Sequence, residues 1–220
     1  MKSLLSVLMV DDHPMILEGY KNALLQNKQI NAEINTANNC NSAINKLETS
    51  AAAPFNLVFL DIKIPPCSDG KILSGEDLGL FIREHFPRTK IIILTMFSEH
   101  IRLSNILKNV NPNGFLIKSD VTPKELVNAV KVVMKGGNYY SETIHELLEQ
   151  QRNQHPVLDD FDRKILYHLS QGTKTRHLVD YVHLSLGAIE KRKRKIKEAF
   201  GITHGGDREI LDKAKELGFL

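Results

Sequence analysis

Four short apolar runs constrain what this chain can fold into. SVLMV (6–10), NLVFL (56–60), KIIIL (90–94) and GFLI (114–117) are dense in aliphatic and β-branched residues, and NLVFL and KIIIL show no polar alternation. Runs of this kind suit strands buried on both faces, which occur where helices cover both sides of a parallel sheet. A weaker strand pattern, INAEINTA (30–37), lies between the first two. Amphipathic helical patterns fall in the gaps, at about Pro14–Gln26, Ser42–Leu47, Glu76–Phe86, Ser98–Lys108 and Pro123–Lys135. Thr122-Pro123 opens the last of these and Gly136-Gly137 closes it. Strictly alternating strands and helices predict an α/β fold, a flavodoxin-like doubly wound five-stranded parallel sheet over residues 1–137.

The apolar runs end on reactive side chains: Asp11 and Asp12, Asp61, Thr95 and Lys118. In open α/β sheets the carboxyl ends of the strands face one ligand crevice, so these groups are expected to converge. Crowded carboxylates repel unless a cation sits among them, and an oxygen-lined site calls for a hard divalent ion such as Mg²⁺. A lysine and a hydroxyl beside that cluster add little to metal storage. They make sense if one carboxylate attacks phosphorus to form an aspartyl phosphate, which Lys118 and Thr95 then hold. Asp61, alone at the end of the expected central strand, is the nucleophile in this reading, and Asp11 and Asp12 hold the metal.

This ordered set resembles the receiver domain of two-component response regulators, over residues 4–137. The resemblance implies that Asp61 is the phosphoacceptor and that Asp11 and Asp12 are the acidic metal pair. It further implies that the backbone carbonyl of Lys63 completes the metal site. Thr95 matches the switch hydroxyl, Phe115 the switch aromatic, and Lys118 the phosphate-binding lysine. Phosphorylation in such a domain draws Thr95 inward and Phe115 follows, remodelling the surface of the fourth helix, fifth strand and fifth helix. One departure stands out. The stretch after Asp61 is about six residues longer than usual once Gly75 is aligned before the third helix, with the surplus in PPCSDGKILS (65–74). A long loop beside the site is either a partner surface or a tolerated insertion.

Residues 138–156 lose the pattern and read as a linker. From 157 to 220 four amphipathic helix patterns follow without a strand, a small all-α domain. KRKRKIK (191–197) carries six basic residues in seven positions. On a helical wheel Ile189, Ile196 and Phe200 form the buried stripe, and Lys191, Arg194 and Glu198 lie opposite. Arg192 and Lys195 fall on a flank, and Lys193 falls near the buried side with its ammonium expected to reach outward. The preceding helix, about Arg176–Val182, joins this one through the short turn VHLS, with Ser185 as N-cap. Helix, short turn and basic helix form a helix-turn-helix pattern. The segment resembles the LuxR-type output domain of NarL/FixJ response regulators. That likeness implies base contacts from Glu190, Lys191 and Arg194 and phosphate contacts from Lys174, Arg192 and Lys195. Asp159 and Asp162 depart from the usual Thr and Glu at the start of the first helix of this domain.

Charge follows the same division. The formal net charge is +3, and residues 156–220 hold 13 Lys/Arg against 10 Asp/Glu, so the first 155 residues are neutral. With 42% hydrophobic and 25% charged residues, composition excludes a disordered or collagen-like chain. Two cysteines, Cys40 and Cys67, without a CxxC, are too few for a disulfide framework and read as reduced thiols. The nine histidines lack metal-site spacing and read as surface or core residues. No apolar run approaches membrane-spanning length and no signal peptide is evident, so a cytoplasmic protein is expected.

Together these features predict a response regulator that accepts phosphate on Asp61 from a sensor histidine kinase, binds promoter DNA, and pairs as a homodimer. It is expected to catalyse nothing beyond its own phosphorylation and dephosphorylation. Two other readings stay open: a receiver whose helical output binds protein, and an aspartyl-phosphate phosphohydrolase, although the latter usually carries a DxD motif on its first strand.

Overall fold

The computed structural model describes residues 4–96, 100–150 and 158–220. They divide into two compact units. The first comprises residues up to Met96 and Val110–Leu148. It contains β1 (Leu5–Val10), α1 (Pro14–Leu25), β2 (Ala32–Ala37), α2 (Cys40–Thr49), β3 (Leu57–Asp61), α3 (Gly75–His85), β4 (Lys90–Thr95), β5 (Gly114–Ile117), α5 (Pro123–Met134), β6 (Tyr139–Tyr140) and the start of α6 (Glu142–Gln150). The second unit takes in α4 (His100–Val110) up to Asn109, with α7 (Asp160–Ser170), α8 (Val179–Val182), α9 (Leu186–Ala199) and α10 (Asp207–Glu216). Ser98, the expected start of the fourth helix, lies outside the described residues, as do 151–157 of the expected linker.

All strands run parallel in the order β2-β1-β3-β4-β5-β6. β3 is buried along its whole length and β4 from Ile91 to Thr95. Alternate strand residues, Val7, Met9, Leu57, Phe59, Ile92, Leu94 and Leu116, share one core with Leu17 and Leu24 of α1 and Leu126, Ala129, Val130 and Val133 of α5. Intervening residues such as Leu8, Val58, Leu60, Ile91 and Ile93 are also buried, so both sheet faces are covered. At roughly 1.5–3 kcal/mol per fully buried large aliphatic side chain, this two-sided core outweighs any local propensity in holding the strands. Caps fix the helix starts. Thr122 and Glu125 close a capping box on α5 with Pro123 in its first turn, and the Asn39 side chain accepts from Ser42 N at 2.8 Å on α2.

The sheet differs from expectation at one edge: it has six strands rather than five. Tyr139 N donates to Asn113 O and Ser141 N to Phe115 O, so two residues of the expected linker extend the sheet, and α6 follows them. A two-residue strand is too short to leave an alternation signature.

The cysteines also depart from expectation, because Cys40 and Cys67 are joined as a disulfide. The long β3–α3 connection folds back over the N-terminus of α2 and brings the two Cα atoms to 5.2 Å. Alongside, Ser68 N and Oγ both donate to Asn41 Oδ1, at 3.2 and 3.3 Å.

In the second unit, Ile165, Leu166, Leu169, Leu178, Val182, Ile189, Ile196, Phe200, Ile210 and Ala214 form one core. Ser185 caps α9, accepting from Ala188 N. His183, in the left-handed region at φ 52°, ends α8 and opens the turn into α9. α4, read from sequence as part of the first domain, groups with this unit. Its Asn105 Oδ1 accepts from Leu158 N at 2.5 Å, and its Asn109 Nδ2 donates to Leu158 O at 3.0 Å. Among the described residues no helix is long and apolar enough to cross a membrane.

Gly75 closes the β3–α3 connection, its N–H donating to Ile62 O at 2.9 Å. A Cβ at this position would overlap the Asp61 carbonyl oxygen, which is fixed backbone. Gly75→Ala is therefore expected to lower unfolding free energy by about 2 kcal/mol or more, the cost of forced overpacking. Urea denaturation monitored by circular dichroism measures this, and an unshifted midpoint would contradict the packing described.

Candidate functional site

The strand register assembles the site. Val10 pairs with Leu60, so Asp11 and Asp61 follow side by side at the ends of β1 and β3. Asp61 pairs with Leu94, and Thr95 is the next residue of β4. Thr95 pairs with Ile117, and Lys118 is the next residue after β5. These positions lie where strand order reverses about β1, the place at which doubly wound sheets bind ligands.

Lys118 sits at the centre of the cluster. Its Nζ lies 2.7 Å from Asp11 Oδ2 and 2.6 Å from Asp61 Oδ2, and all three residues are buried. Asp61 Oδ1 accepts from Lys63 N at 3.2 Å. Burial pushes the Asp61 carboxyl above the usual range and Asp11 adds to the rise, outweighing the Lys118 pairing. Burial, with Asp11 and Asp61 nearby, pushes the Tyr20 hydroxyl of α1 up to about 12. Thr95 and Phe115 are fully buried.

Ligand atoms of Asp11, Asp12, His13 and Asp61 all lie within 4.8 Å of one another. The Asp12 Oδ1 atom is buried and has no hydrogen-bond partner of good geometry, although His13 Nδ1 lies 2.7 Å away. Three carboxylates against one ammonium leave two negative charges, and the buried Asp12 Oδ1 has a lone pair to offer a ligand. The donor set thus fits a divalent ion. The sequence reading set His13 aside as a surface residue. Its side chain is 61% exposed, yet it approaches both aspartates, and its position directly after the acidic pair was the available signal.

The basic helix is arranged less simply than its wheel. Lys191, Arg194, Glu190 and Glu198 are exposed, while Ile189, Lys193 and Ile196 are buried. Lys191 and Arg194 line the grooves on both sides of α9 and so form its crest. Lys193 does not reach outward. Its Nζ donates to Thr175 Oγ1 and meets Asp207 Oδ1, each at 2.7 Å. Asp207 lies in the first turn of α10, and Gly206 occupies the N-cap with its N–H on Glu209 Oε2 at 2.6 Å. Arg192 is held by both Asp159 oxygens at 2.7 Å and by Asp162 Oδ1 at 2.8 Å, over the Phe161 ring at 4.9 Å. Lys195 pairs with Asp162 Oδ2 at 3.0 Å. Burial works against ionisation of Asp159, but the Arg192 hydrogen bond and its neighbours hold its carboxyl below the usual range. Lys174, at the start of a 3₁₀ turn over Thr175–His177, is exposed.

Removing the ammonium should expose the electrostatic cost of the cluster. Lys118→Met is expected to lose about 2–4 kcal/mol of stability at pH 7, because two buried carboxylates lose their counter-charge. Without Lys118 the already raised Asp61 carboxyl rises further, and its protonation removes an unpaired charge, so the deficit narrows as pH falls through the carboxylate range. Thermal melts of both proteins from neutral to acidic pH test this, and a deficit that widens on acidification would refute it.

The chain matches the family described as response regulator receiver domain over residues 7–131. It is 26% identical over 199 residues to the transcriptional regulatory protein MctR of Rhizobium johnstonii, covering 90% of this chain and 87% of that protein. It is 29% identical over 146 residues to RcsB of Escherichia coli, 66% of this chain and 63% of that protein. Among solved structures, RcsB of Salmonella enterica serovar Typhimurium, bound to promoter rprA with the phosphomimetic BeF3−, matches with a TM-score of 0.71 at 22% identity, over 97% of this chain and 99% of that one. That likeness extends the fold through the helical C-terminal unit. The chain belongs to the response regulator receiver family.

Proposed function

We propose that this chain is a transcriptional regulator whose affinity for DNA is set by phosphorylation of Asp61. The observation that carries the proposal is the buried Asp61 carboxylate, placed between the Lys118 ammonium and the acidic pair Asp11 and Asp12. The carboxylate attacks a phosphoryl group as its bond to the donor's imidazole nitrogen or acyl oxygen breaks, the donor leaving with that electron pair, and Lys118 stays close enough to pair with the phosphoryl oxygens. Asp11, Asp12, Asp61 and the Lys63 carbonyl would hold Mg²⁺, which supplies charge neutralisation for the incoming phosphate. Thr95 and Phe115, both buried next to the site, transmit the change as switch residues. The phosphodonor is a sensor histidine kinase or a small acyl phosphate. No further substrate is turned over, and the protein works in the cytoplasm.

The output is the helix-turn-helix within residues 157–220. MctR and RcsB are both named transcriptional regulatory proteins, and RcsB has been solved on promoter DNA, including as dimers. By that likeness this chain binds duplex DNA as a homodimer. Lys191, Arg194 and Glu190 approach base edges and Lys174 meets a phosphate, while Arg192 and Lys195 reach phosphates by sharing the carboxylates of Asp159 and Asp162.

Two outcomes are expected. Asp61→Ala takes up no phosphate from acetyl phosphate yet keeps its fold by circular dichroism; labelling that persists in this variant would displace Asp61 from its role. For DNA, Lys191→Ala with Arg194→Ala is expected to weaken binding to a duplex selected from a random pool by about tenfold or more, and to flatten the salt slope by about 2. Gel shifts across a salt series read both quantities. An unchanged slope would favour an output domain that binds protein.

A further inference from the structure

Cys40 and Cys67 lie where a covalent change would reach the phosphoacceptor. The β3–α3 connection leaves directly from Asp61, and its Lys63 N–H binds the Asp61 carboxylate. Pro65-Pro66, whose rings fix φ, makes a stiff bridge from there to Cys67. Cys67 N accepts no slack either, because it donates to Ile72 O at 2.8 Å, and Gly70 N donates to Cys67 O at 3.0 Å. Ile64, Cys67 and Ile72 are buried, whereas Pro65, Pro66 and Ser68 to Lys71 are exposed. The loop is thus a small closed unit hung from the phosphoacceptor at Lys63 and Gly75, with its arm pinned at one point to α2.

That pin is chemical. Cys40 is the buried first residue of α2. Its partner sits on the loop rather than on a neighbouring helix, so the bond ties a movable segment to a fixed one. Among the described residues, the hydrogen bonds beside it run from Ser68 to Asn41. Both are exposed, and exposed hydrogen bonds of this kind contribute little once the disulfide is open.

We propose that Cys40 and Cys67 form a reversible redox site, and that their disulfide clamps the 62–75 loop in the arrangement that presents Lys63 to Asp61, so that oxidation favours phosphorylation. The second half rests on Asp61 being the phosphoacceptor. The oxidant is a low-molecular-weight disulfide. The Cys67 thiolate attacks one of its sulfurs, and the first thiolate leaves and takes up a proton. The Cys40 thiolate then attacks the Cys67 sulfur of the mixed disulfide, and the second small thiol departs in the same way. Two protein thiols and one small disulfide become one protein disulfide and two small thiols. Excess small thiol reverses both steps.

The test uses the full chain and its Cys67→Ser variant, equilibrated in glutathione buffers from fully reduced to mostly disulfide. Maleimide tagging followed by intact mass counts free thiols. Amide hydrogen exchange reads residues 62–75, and acetyl phosphate with Mg²⁺ reads uptake at Asp61. The parent chain should lose both tags as glutathione disulfide rises. Its Ser68–Lys71 amides should then exchange about tenfold more slowly, as expected when a segment loses a local opening mode. Phosphoryl uptake should rise about threefold, from a better-positioned site. The Cys67→Ser variant, which cannot close the bond and whose one remaining thiol at most takes up a single glutathione, should show the loop exchange and uptake of the reduced parent in every buffer.

Persistence of both tags in excess glutathione disulfide would overturn the proposal, and so would loop exchange and uptake that are equal in the two redox forms. If uptake is absent in both forms while loop exchange still follows the thiol count, the phosphoacceptor assignment fails and the redox clamp stands.

Discussion

The Lys118 ammonium, buried between Asp11 and Asp61, is the interaction on which the rest of the first unit turns. Two unit charges about 4 Å apart interact by roughly 4 kcal/mol at the effective dielectric near a protein surface, so the carboxylates could not share this space without a cation. Burial sharpens the conflict, since it penalises each charge separately. A single lysine only partly resolves it, as the raised Asp61 carboxyl records. The site is left electron-rich, spatially fixed and short of positive charge. Those properties suit a divalent ion and an arriving phosphoryl group, and they would be a liability anywhere in the fold without such a use.

Holding such a cluster together requires a rigid frame. Four adjacent parallel strands in register deliver it, because each reactive residue is the last or next residue of a strand whose neighbours are locked by ladder hydrogen bonds and two buried faces. A one-residue slip in any of these strands would move its side chains to the opposite face and dismantle the cluster. The continuous apolar character of β3 and β4 therefore does more than fill the core, since it secures the register that places Asp61 and Thr95. Gly75 adds a local condition: the connection can return against the Asp61 carbonyl only where no side chain is present.

This division explains what was legible in the sequence. Strand ends carrying Asp11, Asp61, Thr95 and Lys118 could be read because a buried parallel strand writes itself as an uninterrupted apolar run, and the topology then forces its end into the crevice. Thr122 and Ser185 could be read as caps because capping is a local matter of one side chain and the next turn. Features that depend on where a loop travels could not. Cys40 and Cys67 stand 27 residues apart, and nothing in their spacing tells that the β3–α3 loop folds back across α2. Tyr139 and Tyr140 form too short a strand for periodicity, and α4 joins the second unit through two asparagine side chains that no hydrophobic pattern marks.

The basic helix shows the same limit in electrostatic form. A helical wheel gives the direction of a side chain but not its partner, so Arg192, Lys193 and Lys195 read as cations available to a ligand. Each is instead matched by an acid from another element: Asp159 and Asp162 for Arg192, Asp162 for Lys195, and Asp207 for Lys193. Arg192 is further fixed by stacking on Phe161. A DNA phosphate approaching Arg192 must share or displace carboxylates that already satisfy the guanidinium, and trading one anion for another at a partly exposed site yields little net energy. Lys191 and Arg194 stand on the crest, where a phosphate or base edge would add contacts without breaking one. In the proposed DNA-binding role, attraction therefore concentrates on Lys191 and Arg194, while Arg192 and Lys195 tie α9 to the start of α7. The +3 charge of residues 156–220 is in large part internal scaffolding, and the part directed outward is a narrow ridge.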